Sequence, residues 1–152
     1  MTETSEKKLL GVNLRGTLLD NFFQGPAKNG KLIASFAAAA KANGIEVITY
    51  SGTPYKEFED VLTQCFGEAA QALIPIRGSD YLYSYNRVGM EPAPLFDVII
   101  DDDCELAIDN NRRLPEGNRV HWIKSTDNAD KIETELTEAA ANLGFEWWPP
   151  EV

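Results

Sequence analysis

Three short polar segments have side chains that can bind ions or handle phosphate groups. Asn13 and Arg15 lie two positions apart and precede Gly16, Ser51-Gly52 follows later, and Asp101-Asp102-Asp103 lies in the second half of the chain. Carboxylate oxygens are ligands that Mg²⁺ favours, whereas a guanidinium, a hydroxyl and a glycine amide donate hydrogen bonds to anions. The three segments therefore predict a site for a cation, an anion or both.

Each polar segment lies at the end of an apolar run typical of a buried β-strand. The three runs are residues 9–14, 45–50 and 96–100. Two further strands are predicted at 119–123 and, less regularly because it contains a proline, at 73–76.

Helix-forming sequences separate the predicted strands. Residues 31–42 are rich in alanine. Thr53-Pro54 predicts the N-cap and first residue of a second helix, whose first segment ends at Gly67. A last helix is predicted at about 128–143. Its cap is predicted at one of three residues: Ser125, Thr126 or Asp127.

The alternation of strands and helices predicts an α/β fold, with a parallel sheet of about five strands covered by helices on both faces in a three-layer, Rossmann-like arrangement. In such folds, ligands bind at the carboxyl ends of the strands, so the three polar segments are expected to converge there. A dinucleotide site is not predicted because no G-x-G-x-x-G motif follows the first strand. An alternative stays open, in which residues 101–103 only cap a helix and Ser51 is only a turn residue.

In order and spacing, these segments resemble the motifs of the haloacid dehalogenase-like (HAD) phosphohydrolase superfamily. Gly16-Thr17-Leu18 matches the end of its first motif, Ser51 its second, and Asp101-Asp102 its fourth. The resemblance covers almost the whole chain. It implies the HAD-like fold and, where the catalytic residues are kept, Mg²⁺-dependent phosphate hydrolysis.

Two departures from the first motif remove the chemistry that the resemblance implies. Asn13 stands where the family has its nucleophilic aspartate, and an amide oxygen is a poor nucleophile. Arg15 replaces the aspartate that acts as acid and base, and a guanidinium does not release its proton at physiological pH. The sequence therefore predicts a catalytically inactive binding or regulatory module. The alternative is a weak or unconventional Mg²⁺-dependent phosphohydrolase.

The remaining groups of the motifs predict where ligands would bind. The anion-binding set comprises Arg15, Gly16, Ser51, Gly52 and Arg87. Arg87 is one of two candidates for the basic third motif, the other being Arg77, and Met90 is an inert alternative. Asp101 and Asp102 are expected to form a weak or unoccupied Mg²⁺ site, and no other cofactor is predicted. An ion pair of Arg15 with either aspartate is expected to replace the cation.

The short connections after the first and third predicted strands, about 19–30 and 78–96, predict that no cap domain is present. Within the resembled family, capless members generally act on macromolecules, so a protein or another large partner is expected. The net charge is −10, and residues 77–152 contain 16 acidic and 7 basic residues. This charge makes nucleic acid and anionic membranes poor partners.

The predicted domain occupies residues 9–145, between a solvated tail at 1–8 and a Trp/Pro-rich tail at 146–152. Trp147 and Trp148 are expected either to fold back onto the domain or to contact a partner or a second copy of the chain. The sequence has two cysteines and no apolar run of membrane-spanning length, which predicts a cytoplasmic protein.

Overall fold

The chain, described by a computed structural model over residues 8–53, 55–78 and 94–150, contains a five-stranded parallel sheet with strand order β3-β2-β1-β4-β5. The strands are β1 (Leu9–Asn13), β2 (Glu46–Ser51), β3 (Ile76–Gly78), β4 (Val98–Asp101) and β5 (His121–Lys124). The helices are α1 (Gly30–Ala42), α2 (Lys56–Phe66), α3 (Glu105–Arg113) and α4 (Ala129–Leu143), with a 3₁₀ helix at Gly67–Ala72.

Helices cover both faces of the sheet, which confirms the predicted α/β class and Rossmann-like layering. On one face, strand residues such as Val12 and Ile100 pack with Phe36 of α1 and Leu136 of α4. On the other face, a smaller cluster joins β2 and β4 to α3. No helix within the described ranges is both long and apolar enough to cross a bilayer.

The strand order reverses between β1 and β4. From β1 the chain proceeds outward to β2 and β3, and it then returns to place β4 on the other side of β1. Leu10 pairs with Val98 and Val12 with Ile100, so the next residues along the two strands, Asn13 and Asp101, lie at the same edge. In open parallel sheets this switch point is where a ligand crevice forms.

Three element boundaries differ from the sequence prediction. The third strand is Ile76–Gly78 rather than 73–76. It begins after Pro75 because proline has no N–H to donate to the ladder. The helix predicted to begin at Thr53-Pro54 begins instead at Lys56, with Tyr55 as its N-cap, and Thr53 belongs to a turn in which its N–H is bonded to Ser51 Oγ. The cap predicted among residues 125–127 is Asn128, which accepts a hydrogen bond from the Lys131 N–H at 2.9 Å.

The two tryptophans near the C-terminus have different environments. Trp147 is 5% exposed, and its ring meets Phe36 edge-on with centroids 5.4 Å apart. Trp148 is 78% exposed. Trp147 therefore folds back onto the core, as one of the two alternatives expects, whereas Trp148 is exposed.

Candidate functional site

A cleft of about 420 Å³ opens at the carboxyl edge of the sheet, at the switch point between β1 and β4. Its lining consists of Asn13, Arg15, Asn21, Tyr50, Gly52, Asp101, Asp102, Asp103 and Glu105. The cleft therefore brings together residues from all three polar segments of the sequence.

Asn13, the last residue of β1, is fixed by two hydrogen bonds from its amide nitrogen. Nδ2 donates to the Arg15 carbonyl at 2.6 Å and to Asp102 Oδ1 at 2.9 Å. Because both partners are acceptors, the nitrogen of this amide must face Asp102. An ionised aspartate at position 13 would instead place a second carboxylate against Asp102, which is costly without a cation between them.

The turn after β1 closes tightly onto Asp102. Gly16 has φ +81°, and its N–H donates to the Leu19 carbonyl at 2.7 Å. A Cβ at Gly16 would lie 2.7 Å from Asp102 Oδ2. Only glycine combines this backbone conformation with so close an approach of a neighbouring side chain. Gly16 thus leaves room for Asp102, and its N–H is already bonded to Leu19 rather than open to an anion.

Arg15 lines the cleft with an exposed side chain. In the part of the chain that the structure describes, it forms no ion pair with Asp101 or Asp102, so the ion pair predicted from the sequence is wrong. The Arg15 side chain is exposed to solvent, where an ion pair gains little free energy, and both aspartates have other hydrogen-bond donors. Asp102 accepts from Asn13, and Asp101 accepts from Tyr50 and from a backbone amide.

Asp101 is 5% exposed at the end of β4. Its Oδ2 accepts a hydrogen bond from the Tyr50 hydroxyl at 2.5 Å, and its Oδ1 accepts from the Asp103 N–H at 3.0 Å. Burial raises the pKa of Asp101 to about 7; the Tyr50 hydrogen bond opposes this shift and neighbouring Asp102 adds to it. Near neutral pH, the protonated and the ionised forms of this carboxyl are therefore both populated.

The second segment contributes one residue to the cleft. Ser51 is buried, and its Oγ accepts from the Thr53 N–H at 3.2 Å and donates to the Thr53 carbonyl at 3.4 Å. This bonding is that of a serine turn, which agrees with the alternative that Ser51 is a turn residue. Gly52, by contrast, is exposed and lines the cleft.

One of the three aspartates, Asp103, precedes the N-cap residue Cys104 and bonds to the first residue of the helix. Asp103 Oδ1 accepts from the Glu105 N–H at 2.7 Å, at the start of α3, where a negative charge is favourable. Asp101 and Asp102 have the different partners described above. The capping alternative thus holds for Asp103 and leaves the other two as cleft residues.

A buried polar brace ties β5 to the turn after β1. Ser125 Oγ lies 2.8 Å from Thr17 Oγ1 and donates to the Gly16 carbonyl at 3.2 Å. Asn29 Nδ2 donates to the Ser125 and Asp127 carbonyls, both at 2.8 Å. Buried polar groups that are bonded in this way fix the edge of the sheet in one geometry.

The candidates for the third motif do not complete the site within the described residues. Arg77 lies on β3 and lines a separate groove, together with Lys41 and Glu46, rather than the cleft. Arg87 and Met90 belong to residues 79–93 and lie outside the described part of the chain.

These side chains are a poor fit for the Mg²⁺ that the family resemblance implies, because only Asp102 of the predicted pair of aspartates is exposed in the cleft. Mg²⁺ needs oxygen ligands, but Asn13 presents its nitrogen, and both oxygens of Asp101 accept hydrogen bonds from protein donors. Among the described residues, no three His, Cys, Asp or Glu side chains form a group that could hold a metal ion.

Three residues of the cleft were not predicted from the sequence: Tyr50, Asn21 and Glu105. Tyr50 pairs with Asn13 in the register of β1 and β2, which is the signal that could have placed it at the site. Asn21 and Glu105 depend on the path of a loop and on the start of α3, for which the sequence offers no comparable signal.

Comparisons with known proteins yield no relative: no family model, curated protein or solved structure matches this chain. The HAD-like resemblance therefore remains a prediction from its motifs.

Proposed function

We propose that this chain is a catalytically inactive HAD-like domain that acts as a binding or regulatory module through the cleft at the carboxyl edge of its sheet. The observation that carries the proposal is the orientation of Asn13, whose amide nitrogen donates to both Asp102 and the Arg15 carbonyl. At the position of the family's nucleophile, this side chain is a hydrogen-bond donor that holds the site together. It offers phosphorus no anionic oxygen to react with.

Arg15 supports the same proposal. Its side chain is exposed at the cleft, and a guanidinium cannot alternate between proton donor and acceptor. Both catalytic roles of the first motif are therefore lost, whereas the turn at Gly16 and the brace at Ser125 keep the shape of the edge.

The charge of the cleft favours positively charged over negatively charged ligands. Three exposed acidic side chains, those of Asp102, Asp103 and Glu105, face a single basic one, that of Arg15. Of the predicted anion-binding groups in the described chain, Ser51 is bonded within its turn and Gly16 packs against Asp102. A basic group on a protein partner fits this charge better than a phosphate does.

A second candidate function, unconventional phosphate ester hydrolysis, is favoured by one observation. Asp101 lines the cleft, and burial raises its pKa to about 7, which suits a group that takes a proton from water at neutral pH. In this candidate function, Asp101 would activate water directly, without a covalent intermediate on residue 13.

Release of phosphate from an aryl phosphate with Mg²⁺ separates the two functions. We expect no turnover by the wild-type protein above that of Asp102→Asn or Asp101→Asn. Wild-type turnover that either substitution abolishes would overturn the proposal and establish the hydrolase. The double substitution Asn13→Asp with Arg15→Asp is the matched gain-of-function variant, because it restores both carboxylates of the first motif. We expect it to gain Mg²⁺-dependent turnover.

A further inference from the structure

An aromatic patch, defined as Phe22, Phe23, Tyr55 and Phe58, is close in the chain to residues of the cleft; Phe22 and Tyr55 are exposed, whereas Phe23 and Phe58 are half-buried against the core. Phe23 stacks on Phe58 with ring centroids 4.1 Å apart and an interplanar angle of 11°, and Tyr55 lies 5.5 Å from Phe58. Phe22 is 78% exposed and Tyr55 is 59% exposed. Exposed aromatic side chains such as Phe22 and Tyr55 are enriched at interaction surfaces.

The aromatic patch and the cleft are built by the same two loops. Asn21 lines the cleft and is followed at once by Phe22, while Gly52 lines the cleft three residues before Tyr55. Two residues of the cleft lining are therefore followed, within three positions, by the two exposed aromatic residues Phe22 and Tyr55.

The loop that carries Phe22 is held in a defined shape. Asp20 Oδ1 accepts hydrogen bonds from the Phe22 N–H at 2.8 Å and the Gln24 N–H at 3.1 Å, and the Phe23 N–H donates to the Asp20 carbonyl at 3.1 Å. Phe23 has φ +57°, a conformation that is strained for an aromatic residue. Such strain persists where the surrounding structure enforces it, and here it accompanies the stacking of Phe23 on Phe58 beside an outward-facing Phe22.

The negative charge of the cleft favours a partner with basic side chains. Asp102, Asp103 and Glu105 are exposed in the cleft, whereas Arg15 is the one basic side chain in the cleft lining that the structure describes. Lys and Arg complement these carboxylates, and their cationic groups also bind well against aromatic faces such as those of Phe22 and Tyr55.

We infer that the cleft and the aromatic patch form one docking surface for a protein segment in which Lys or Arg alternates with aromatic side chains. The basic groups bind Asp102, Asp103 and Glu105, and the aromatic groups pack on Phe22 and Tyr55. The inference rests on the proposed function, because it treats the cleft as a site that binds without hydrolysis.

Chemical-shift mapping on the ¹⁵N-labelled full chain tests this surface with three synthetic peptides. The probe peptide is Lys-Trp-Lys-Phe-Arg, and the two controls are Lys-Ala-Lys-Ala-Arg and Glu-Trp-Glu-Phe-Glu, all with blocked termini. We expect the probe to shift the amides of Asn21, Phe22, Gly52 and Tyr55 and to bind more weakly as salt is raised. The alanine control should bind at least about fivefold more weakly, and the acidic control should not bind.

Matched variants locate the binding energy. Phe22→Ala should weaken the probe at least about fivefold, whereas Trp148→Ala, which removes an equally exposed aromatic group elsewhere, should not. Asp102→Asn with Asp103→Asn should weaken it similarly. Its control is Glu46→Gln with Glu116→Gln, which removes the same charge from exposed residues distant from the cleft lining.

The inference is overturned if the probe does not bind, if its shifts map to another surface, if the acidic peptide binds equally well, or if Phe22→Ala and Trp148→Ala have the same effect. It is also overturned if inorganic phosphate shifts the cleft amides and the probe does not. Failure of the proposed function is a separate result, since it consists of wild-type phosphate release. A chain that neither hydrolyses phosphate esters nor binds the probe contradicts only the docking surface.

Discussion

At the residue scale, the two aspartates that begin the acidic segment differ because their surroundings differ. Asp102 is exposed and accepts a hydrogen bond from Asn13, whereas Asp101 is buried and accepts one from Tyr50. The sequence could place Asn13 and both aspartates at one edge, because strand ends in a parallel sheet converge. It could not show which carboxyl is buried, since that depends on the Tyr50 side chain crossing to β4.

The raised pKa of Asp101 predicts how stability depends on pH. In the unfolded chain this group loses its proton near its ordinary value of 3.8, whereas in the folded protein it does so at about 7. Folding therefore takes up a proton between these values, and this contribution to stability is fully present below about pH 4 and lost as the pH rises through about 7. The loss can reach about 4 kcal/mol.

Urea unfolding with EDTA, at about pH 5 and about pH 8, measures this effect. From about pH 5 to about pH 8, the wild-type protein should lose free energy of unfolding relative to Asp101→Asn. The asparagine side chain stays neutral at both pH values, so the variant does not have this loss. Asp103→Asn removes one acidic group at the same edge and is the control for loss of negative charge alone. Parallel pH profiles for the wild-type protein and Asp101→Asn would contradict the buried carboxyl described here.

At the element scale, the turn after β1 determines the geometry of the cleft, and its shape was only partly predictable. Gly16-Thr17 indicates a turn after a strand, but the sequence does not predict the brace from Ser125, which is only one of three candidate helix caps. The position of β3 was missed because the ladder begins after Pro75. In both cases, hydrogen bonds to residues distant in sequence determine the local structure, and the neighbouring residues in the sequence do not reveal them.

Gly16→Ala should cost more free energy of unfolding than Gly44→Ala, by at least about 1 kcal/mol. The two glycines have nearly the same φ, +81° and +85°. A Cβ at Gly16 meets Asp102 Oδ2 at 2.7 Å, whereas a Cβ at Gly44 has no heavy atom outside its immediate chain neighbours within 4 Å. Chemical denaturation measures the difference. The extra free energy that Gly16→Ala costs over Gly44→Ala should be smaller when Asp102 is also replaced by alanine. Close packing of Gly16 on Asp102 would be contradicted if the two glycine substitutions cost the same. It would also be contradicted if Asp102→Ala left the extra cost unchanged.

At the scale of the whole molecule, the order of apolar strands and helices was sufficient to predict a parallel sheet with helices on both faces. That signal is strong because strands buried on both faces need continuous apolar runs. The segment from residue 146 onward carries no such periodicity, so the sequence left open whether its tryptophans belong to the core. The structure places Trp147 against Phe36 and leaves Trp148 exposed.

Trp147→Ala should destabilise the fold by about 3–5 kcal/mol, because it removes a large buried side chain from the core. Trp148→Ala should change stability by less than about 0.5 kcal/mol and is the matched control in the adjacent position. Thermal and urea unfolding followed by circular dichroism give both values. Similar small effects for the two substitutions would show that the C-terminal segment does not pack on α1 as described.

We propose that Asn13 removes the nucleophile from the phosphoryl-transfer centre that the HAD-like resemblance implies. The most direct measurement is a crystal structure of the wild-type protein grown with Mg²⁺ and a phosphate mimic. We predict that Asn13 Nδ2 still donates to Asp102 and that no cation bridges Asp101 and Asp102. A Mg²⁺ ion bound to either aspartate together with the phosphate mimic would contradict the account.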